Sequence, residues 1–111
     1  MKDCLFCKIA NNANNCVYED EKIVIINDIN PQANIHMLVI PKEHYTDVND
    51  LSINNSELLG YIFKKIAEIK DILGLQDGFR VITNIGNNGR QSIKHVHFHI
   101  LGGEQLADKM G

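Results

Sequence analysis

Polar and apolar positions alternate with period two in several short runs of this chain and recur at helical spacing in one long run. The clearest alternation is Ser92-Ile-Lys-His95-Val-His97-Phe-His99-Ile-Leu101, where Val96, Phe98 and Ile100 separate or follow three histidines. Period two reads as a strand with one apolar face and one imidazole face, and Gly102-Gly103 closes it. Four more strands are predicted. Val17-Tyr-Glu19 and Lys22-Ile-Val-Ile-Ile26 are joined by the turn at Glu19-Asp20-Glu21. Ile35-His36-Met-Leu-Val-Ile40 is mostly apolar, which places it centrally in a sheet, and Pro41 ends it. Gly78-Phe-Arg-Val-Ile-Thr83 is the fourth in chain order and the histidine run the fifth.

The helical run covers residues 54–73. Leu58, Leu59, Ile62, Phe63, Ile66, Ile69 and Leu73 form its apolar stripe. Asn54 and Glu57 have capping-box spacing, Ile53 and Leu58 have staple spacing, and Gly74 supplies the stop. Residues 11–15 read as a polar turn, 28–32 as a loop and 104–111 as a short polar tail. No repeat or linker divides the chain, so residues 1–111 are expected to form one domain.

The three imidazoles restrict the chemistry. Alternate strand residues lie about 6.6 Å apart, so His95 and His99 are separated by roughly 13 Å. Metal–nitrogen bonds are only about 2 Å long, and a regular strand cannot bring all three rings to one ion. Neighbouring rings share an ion, or the three have different tasks as nucleophile, acid or base. One buried histidine is ordinary; three at fixed spacing are not. The preceding loop, Asn84-Ile-Gly86-Asn-Asn-Gly89-Arg-Gln-Ser92, adds glycines that let backbone N–H groups form an anion nest. Asn84, Gln91 and Ser92 add side-chain donors. A phosphate site beside a histidine face is the reading that uses both.

Composition changes this picture little. The 111 residues suit one compact domain, and 44% of them are hydrophobic, enough for a core. A net charge of −3 gives no electrostatic reason to expect nucleic acid or an anionic membrane as partner. No apolar run approaches the roughly 20 residues of a membrane span, and Met1-Lys-Asp-Cys lacks the apolar core of a signal peptide. Three cysteines, two of them as Cys4-x-x-Cys7, argue for a reducing, cytoplasmic setting and against a disulfide framework. The pair reads as a redox couple, half a zinc site, or chance. Cys16 has no evident partner and is assigned to packing.

His95-Val-His97-Phe-His99-Ile-Leu101 resembles the signature of the histidine triad (HIT) family. Asp28-Ile-Asn-Pro-Gln-Ala, His36-Met-Leu-Val-Ile-Pro-Lys42, the stretch from Gly86 to Ser92 and Leu101-Gly-Gly103 resemble its HINT branch, the purine nucleoside phosphoramidases. The resemblance spans nearly the whole chain. It implies an α+β fold: an antiparallel five-stranded sheet, one long helix and a short N-terminal helix, with a homodimer that makes the sheet continuous. It also implies hydrolysis of purine nucleoside 5′-monophosphoramidates or related esters, releasing AMP or GMP and an amine.

Carried onto this chain, the resemblance makes His97 the nucleophile, with a neighbouring acceptor, the His95 backbone carbonyl, fixing its tautomer. His99 and His36 would stabilise charge and help protonate the leaving amine, with Ser92 and the Gly89–Ser92 amides on the phosphoryl oxygens. Asp28 would hold the ribose, Leu5, Phe6, Ile9 and Ile26 the base, and Asn84, Gly89, Arg90 and Gln91 would complete the nucleotide site. Some bacterial members carry zinc, which assigns Cys4, Cys7, His44 and His95 to a structural zinc site; no catalytic metal is required. Two features depart from the HINT pattern. Arg90 stands where a glycine is usual, and the tail lacks the tryptophan-bearing ending of animal relatives. Three rival readings remain at this level: a nucleotide-binding regulatory or scaffold module with little turnover, a dinucleoside polyphosphate hydrolase, and a metallohydrolase built on His95, His97 and His36.

Overall fold

The computed structural model describes residues 4–11 and 16–109. Beyond Asn11, the turn predicted at residues 11–15 lies outside them. Five strands form one antiparallel sheet: β1 (Tyr18–Glu19), β2 (Ile23–Asn27), β3 (Ile35–Pro41), β4 (Phe79–Ile82) and β5 (Phe98–Gly102). Their order is β1-β2-β3-β5-β4, so the apolar β3 is central as expected and β4 is an edge. A short N-terminal helix α1 (Leu5–Asn11) and two further helices, α2 (Val48–Asn54) and α3 (Ser56–Ile69), complete the α+β fold.

Strand alternation sorts the side chains onto two faces. Ile23 and Ile25 of β2, Met37 and Val39 of β3, and Phe98 and Ile100 of β5 join one core with Leu51, Leu58, Ile62 and Ile66 of α2 and α3. Phe98 is 1% exposed and meets the Phe63 ring edge-on at 5.7 Å. Truncating such a residue to Ala costs about 3–5 kcal/mol. The intervening residues face the other way. Val24, Leu38 and Ile40 pack there with Phe6 and Ala10 of α1, and the partly buried Cys16 packs against the same cluster. This second face is only partly covered, and it carries the histidines.

The helical region departs from the sequence expectation in detail. α2 was not predicted, because seven residues with one buried position, Leu51, give no helical period. Asp47 caps it by accepting from the Asp50 N–H. Asn54 ends α2, and the N-cap of α3 is Asn55, whose side chain accepts from the Leu58 N–H at 3.2 Å. The predicted capping box and staple therefore do not form, and Ile53 is 81% exposed. Regular helix ends at Ile69, but Gly74 does close the segment. Leu75 N–H donates to Lys70 O and Gly74 N–H to Asp71 O, the paired bonds of a Schellman stop, with Gly74 at φ 81°.

The histidine strand is the other correction. Regular pairing begins at Phe98, not at Ser92. Upstream, the backbone is claimed from outside the sheet: Val96 N–H donates to Tyr45 O, and Thr83 Oγ1 donates to His97 O. That bend gives His95 a different environment from His97.

Candidate active site

His97 is buried on the open face. Its Nδ1 lies 2.8 Å from the His95 carbonyl oxygen. A carbonyl oxygen only accepts, so Nδ1 carries the proton and Nε2 keeps its lone pair. Phe6 from α1 abuts the ring edge-on at 4.7 Å and His99 at 5.2 Å. Burial lowers the His97 pKa from its ordinary value, against the raising influence of the His95 carbonyl and Asp28. The ring is neutral at neutral pH, as a nucleophile requires.

His36 and His99 meet across β3 and β5. Leu38 pairs with His99 and Leu101 with His36, so the two histidines are diagonal neighbours on one face. His36 Nε2 lies 2.9 Å from His99 Nδ1. The Gln32 backbone N–H donates to His36 Nδ1 at 3.0 Å. An amide only donates, so neutral His36 carries its proton on Nε2 and gives it to His99 Nδ1. His99 therefore presents Nε2–H. Burial first, then His97 and His36, lower the His99 pKa, with Asp28 opposing.

Asp28 leaves β2 at the same face. Its Oδ1 accepts from the Asn30 N–H, and its Oδ2 is 3.5 Å from His36 Nε2. Asp28, His36 and His99 place their ligand atoms within 4.8 Å of one another. A cation on His36 Nε2 would move that ring's proton to Nδ1, directly against the Gln32 N–H. His36 and His99 form a hydrogen-bonded relay, with the Asp28 carboxylate as its charged neighbour. Nor do His95, His97 and His36 form a ligand group among the described residues, which removes the geometric basis of a metallohydrolase on those rings.

The loop after β4 is built by its own residues. A side chain on Gly89 would collide with the Ile85 carbonyl, so only glycine fits. Gln91 is buried and committed: its Nε2 donates to Thr46 O and Ile93 O, and its Oε1 accepts from the Gly86 N–H. This corrects its expected role, because Gln91 shapes the loop and has no donor left for a ligand. The Arg90 and Gln91 amides likewise donate inside the loop, to Asn87 O and Gly86 O. Among the described residues the Gly89 and Ser92 amides and the Ser92 hydroxyl have no such partner. Asn84 Nδ2 donates to Gly89 O, which bridges the ends of the loop. Arg90 sits at φ 63°. Holding a residue other than glycine there costs about 1–2 kcal/mol.

These residues surround a cleft of about 1010 Å³. Leu5, Phe6, Ile9 and Ile26 form its apolar end, Asp28 one rim, and Asn84, Arg90, Gln91, Ser92, His97 and His99 the polar end. Gly89 lines a second cavity of about 850 Å³ that shares Gln32, Asn84, Arg90 and His99 with the first. Sequence reasoning missed Ile29, Leu38 and Ile93 in the cleft, and Gln32, which acts through its backbone. Ile29 is 91% exposed beside Asp28. Period alone marks neither a loop residue nor a main-chain donor.

On the far side of His97, Cys4, Cys7, His44 and His95 converge. His95 Nδ1 lies 3.2 Å from Cys4 Sγ, from Cys7 Sγ and from His44 Nδ1. His95 Nε2–H donates to Pro41 O at 2.8 Å, which leaves Nδ1 as the lone pair. One lone pair accepts one thiol proton, whereas three heteroatoms share it. In a tetrahedral zinc site, ligand atoms sit roughly 3.3–3.8 Å apart. The cluster matches that packing and donor chemistry to within a few tenths of an ångström. Without a cation, burial and the neighbouring Cys4 push the Cys7 thiol up to about 11. A bound dication reverses this by stabilising thiolates. Burial keeps His44 and His95 neutral, the form that ligates.

Comparison with known proteins agrees with this geometry. A family model described as "Scavenger mRNA decapping enzyme C-term binding" matches residues 3–111. A 14 kDa zinc-binding protein of Zea mays is 44% identical over 92 residues, covering 81% of this chain and 72% of that protein. The 0.95 Å structure of a histidine triad protein from Clostridium difficile is 42% identical, with a TM-score of 0.91 over 99% of this chain and 98% of that one. A HIT family hydrolase from Clostridium thermocellum is 38% identical, with a TM-score of 0.88 over 99% and 98%. The chain belongs to the histidine triad family.

Proposed function

We propose that this protein hydrolyses purine nucleoside 5′-monophosphoramidates, or the corresponding P–O esters, through a nucleotidyl-His97 intermediate. The observation that carries the reading is the His97 tautomer. The His95 carbonyl holds Nδ1–H, which leaves the Nε2 lone pair beside a cleft with an apolar end for a base and a polar end for a phosphate. A relative from Clostridium thermocellum described as a hydrolase supports the reaction class.

His97 Nε2 attacks the α-phosphorus, the P–N bond breaks, and the amine departs with the bonding pair and takes up a proton. The Gly89 and Ser92 amides and the Ser92 hydroxyl hold phosphoryl oxygens. His99 presents Nε2–H toward the departing group, held in that tautomer by His36. His99 gives that proton to the amine; water then attacks phosphorus and returns a proton to His99 Nε2, the P–Nε2 bond breaks with its electron pair going back to His97, and the nucleoside monophosphate leaves. Asp28 accepts from the ribose hydroxyls.

Cys4, Cys7, His44 and His95 would hold zinc as a structural ion, in line with the zinc-binding maize relative. When bound, the ion clamps α1 and the His44 loop to His95, the residue whose carbonyl orients His97. The β4 edge is the surface for a homodimer with a continuous sheet. Light scattering then gives twice the 12.5 kDa chain mass, and a monomer at micromolar concentration contradicts it.

The deciding experiment is incubation with adenosine 5′-phosphoramidate, with AMP and ammonia followed by chromatography. AMP release above background supports the assignment. Binding without release favours a nucleotide-binding module.

A further inference from the structure

We propose that Cys4 and Cys7 are a redox switch on the nucleotide cleft: a peroxide or a small-molecule disulfide joins them in a disulfide, the cluster lets go of its ion, and the cleft binds nucleotide less well. The proposal rests on the zinc and nucleotide readings above and adds regulation to that same site.

The pair brackets part of the cleft. Leu5 and Phe6, the two residues between the cysteines, both line its apolar end. Phe6 also abuts the His97 ring edge-on at 4.7 Å. Both sulfurs lie 3.2 Å from one atom, His95 Nδ1, and the Cys7 N–H donates to Cys4 Sγ at 3.3 Å. The ligand atoms of the cluster all lie within 4.8 Å of one another, so the sulfurs can meet without unwinding α1. Neither cysteine is fully buried, so a small oxidant reaches them. His95 is completely buried, and outside the cluster its ring donates to Pro41 O. A purely structural ligand set requires neither accessible sulfurs nor cleft residues between them.

With hydrogen peroxide, one thiolate sulfur attacks an oxygen, the O–O bond breaks, and hydroxide leaves behind a sulfenic acid. The other thiolate attacks that sulfur, the S–S bond forms, and a second hydroxide leaves. The sulfurs lose two electrons, and the peroxide, with two protons, ends as two waters. A small disulfide takes the same two electrons and leaves as two thiols. Disulfide sulfurs are not anionic ligands, so only the imidazoles of His44 and His95 remain for a dication. Residues three apart on a helical turn have Cβ atoms about 5–6 Å apart, and a disulfide draws them to roughly 3.8 Å. The turn that carries Leu5 and Phe6 tightens, and the sulfurs swing from His95 Nδ1 toward each other. The cleft changes at its apolar end, and the carbonyl that holds the His97 proton loses its anchor.

The test treats reduced, zinc-loaded protein with one equivalent of hydrogen peroxide. Peptide mass spectrometry locates the oxidised thiols, a metallochromic dye follows zinc, and titration calorimetry measures AMP binding. A disulfide between Cys4 and Cys7 is expected, with zinc released in step and AMP affinity lower by roughly tenfold, the worth of one buried apolar contact. Dithiothreitol and zinc together restore the starting affinity. Cys16→Ser, which removes the third thiol and keeps the pair, responds as wild type does. Zinc retained with no Cys4–Cys7 disulfide overturns the proposal. So does a disulfide that leaves AMP affinity unchanged, or an affinity that reduction and zinc do not restore. If the reduced protein binds no AMP, the nucleotide reading fails separately, and ¹⁵N spectra of the His97 ring then decide on the switch. Ring shifts that move on oxidation and return on reduction support it, and an unchanged spectrum overturns it.

Discussion

His95 points its ring and its carbonyl at two different sites: the ring joins Cys4, Cys7 and His44, while the carbonyl oxygen accepts from His97 Nδ1 at 2.8 Å. One residue thus ties a candidate metal cluster to a candidate nucleophile. The shared backbone makes the tautomer of His97 a consequence of how His95 is anchored.

Backbone groups dictate the ring protons, and ¹⁵N NMR reads them directly. His97 is expected as the Nδ1–H tautomer, and His36 and His99 as Nε2–H tautomers, at neutral pH. A His36 ring protonated on Nδ1 would break the relay and reopen Asp28, His36 and His99 as a metal site.

The cysteine–histidine cluster predicts one zinc per chain after purification, measured by mass spectrometry of the metal. Cys7→Ser is expected to lose the ion and lower Tm by roughly 5 °C or more, since about 1 kcal/mol shifts a domain of this size by roughly that much. Catalytic rate and stability should fall together on chelation. Removal of zinc with Tm unchanged would show that the cluster does not hold the fold.

Asp20 is a separate, electrostatic test of the fold. Burial opposes its ionisation, but hydrogen bonds from Tyr61, the Lys22 and Ile23 amides and Tyr18 outweigh it and hold its pKa at about 2, against an ordinary 3.8. A depressed folded-state pKa stabilises the protein above pH 3.8, and that contribution is lost as the pH falls toward 2. Asp20→Asn should therefore cost about 1–2 kcal/mol at neutral pH. In urea titrations, the gap from wild type should close between pH 4 and pH 2. A gap that stays constant over that range contradicts the assignment.

Much of this architecture was legible in the chain because burial has a period. Ile23 and Ile25, Met37 and Val39, Phe98 and Ile100 alternate as half-buried strands must, and the same alternation put His97 and His99 on the opposite face. Leu58, Ile62 and Ile66 did the same at helical spacing. What period cannot carry was missed. α2 is two turns long with one buried residue, and the start of α3 moved by one residue because Asn54 and Asn55 are chemically identical as caps. Residues 92–97 leave the sheet because Tyr45 and Thr83 hold their backbone, a tertiary contact with no local mark. In the site, residue types were legible and their commitments were not. Gln91 has the chemistry of a phosphate donor, but its amide is fully engaged by Thr46, Ile93 and Gly86. Gln32 matters through its main chain, which any residue but proline would supply.

The central claim is that the lone pair of His97 attacks phosphorus, and a rapid-quench experiment with adenosine 5′-phosphoramidate tests it most directly. Mass spectrometry of quenched wild-type protein should locate one adenylyl group on His97. His97→Ala should fold, show no adduct and lose turnover by roughly three orders of magnitude or more, as removal of a covalent nucleophile does. An adduct on another residue, or AMP release by His97→Ala at a rate near that of wild type, contradicts the account.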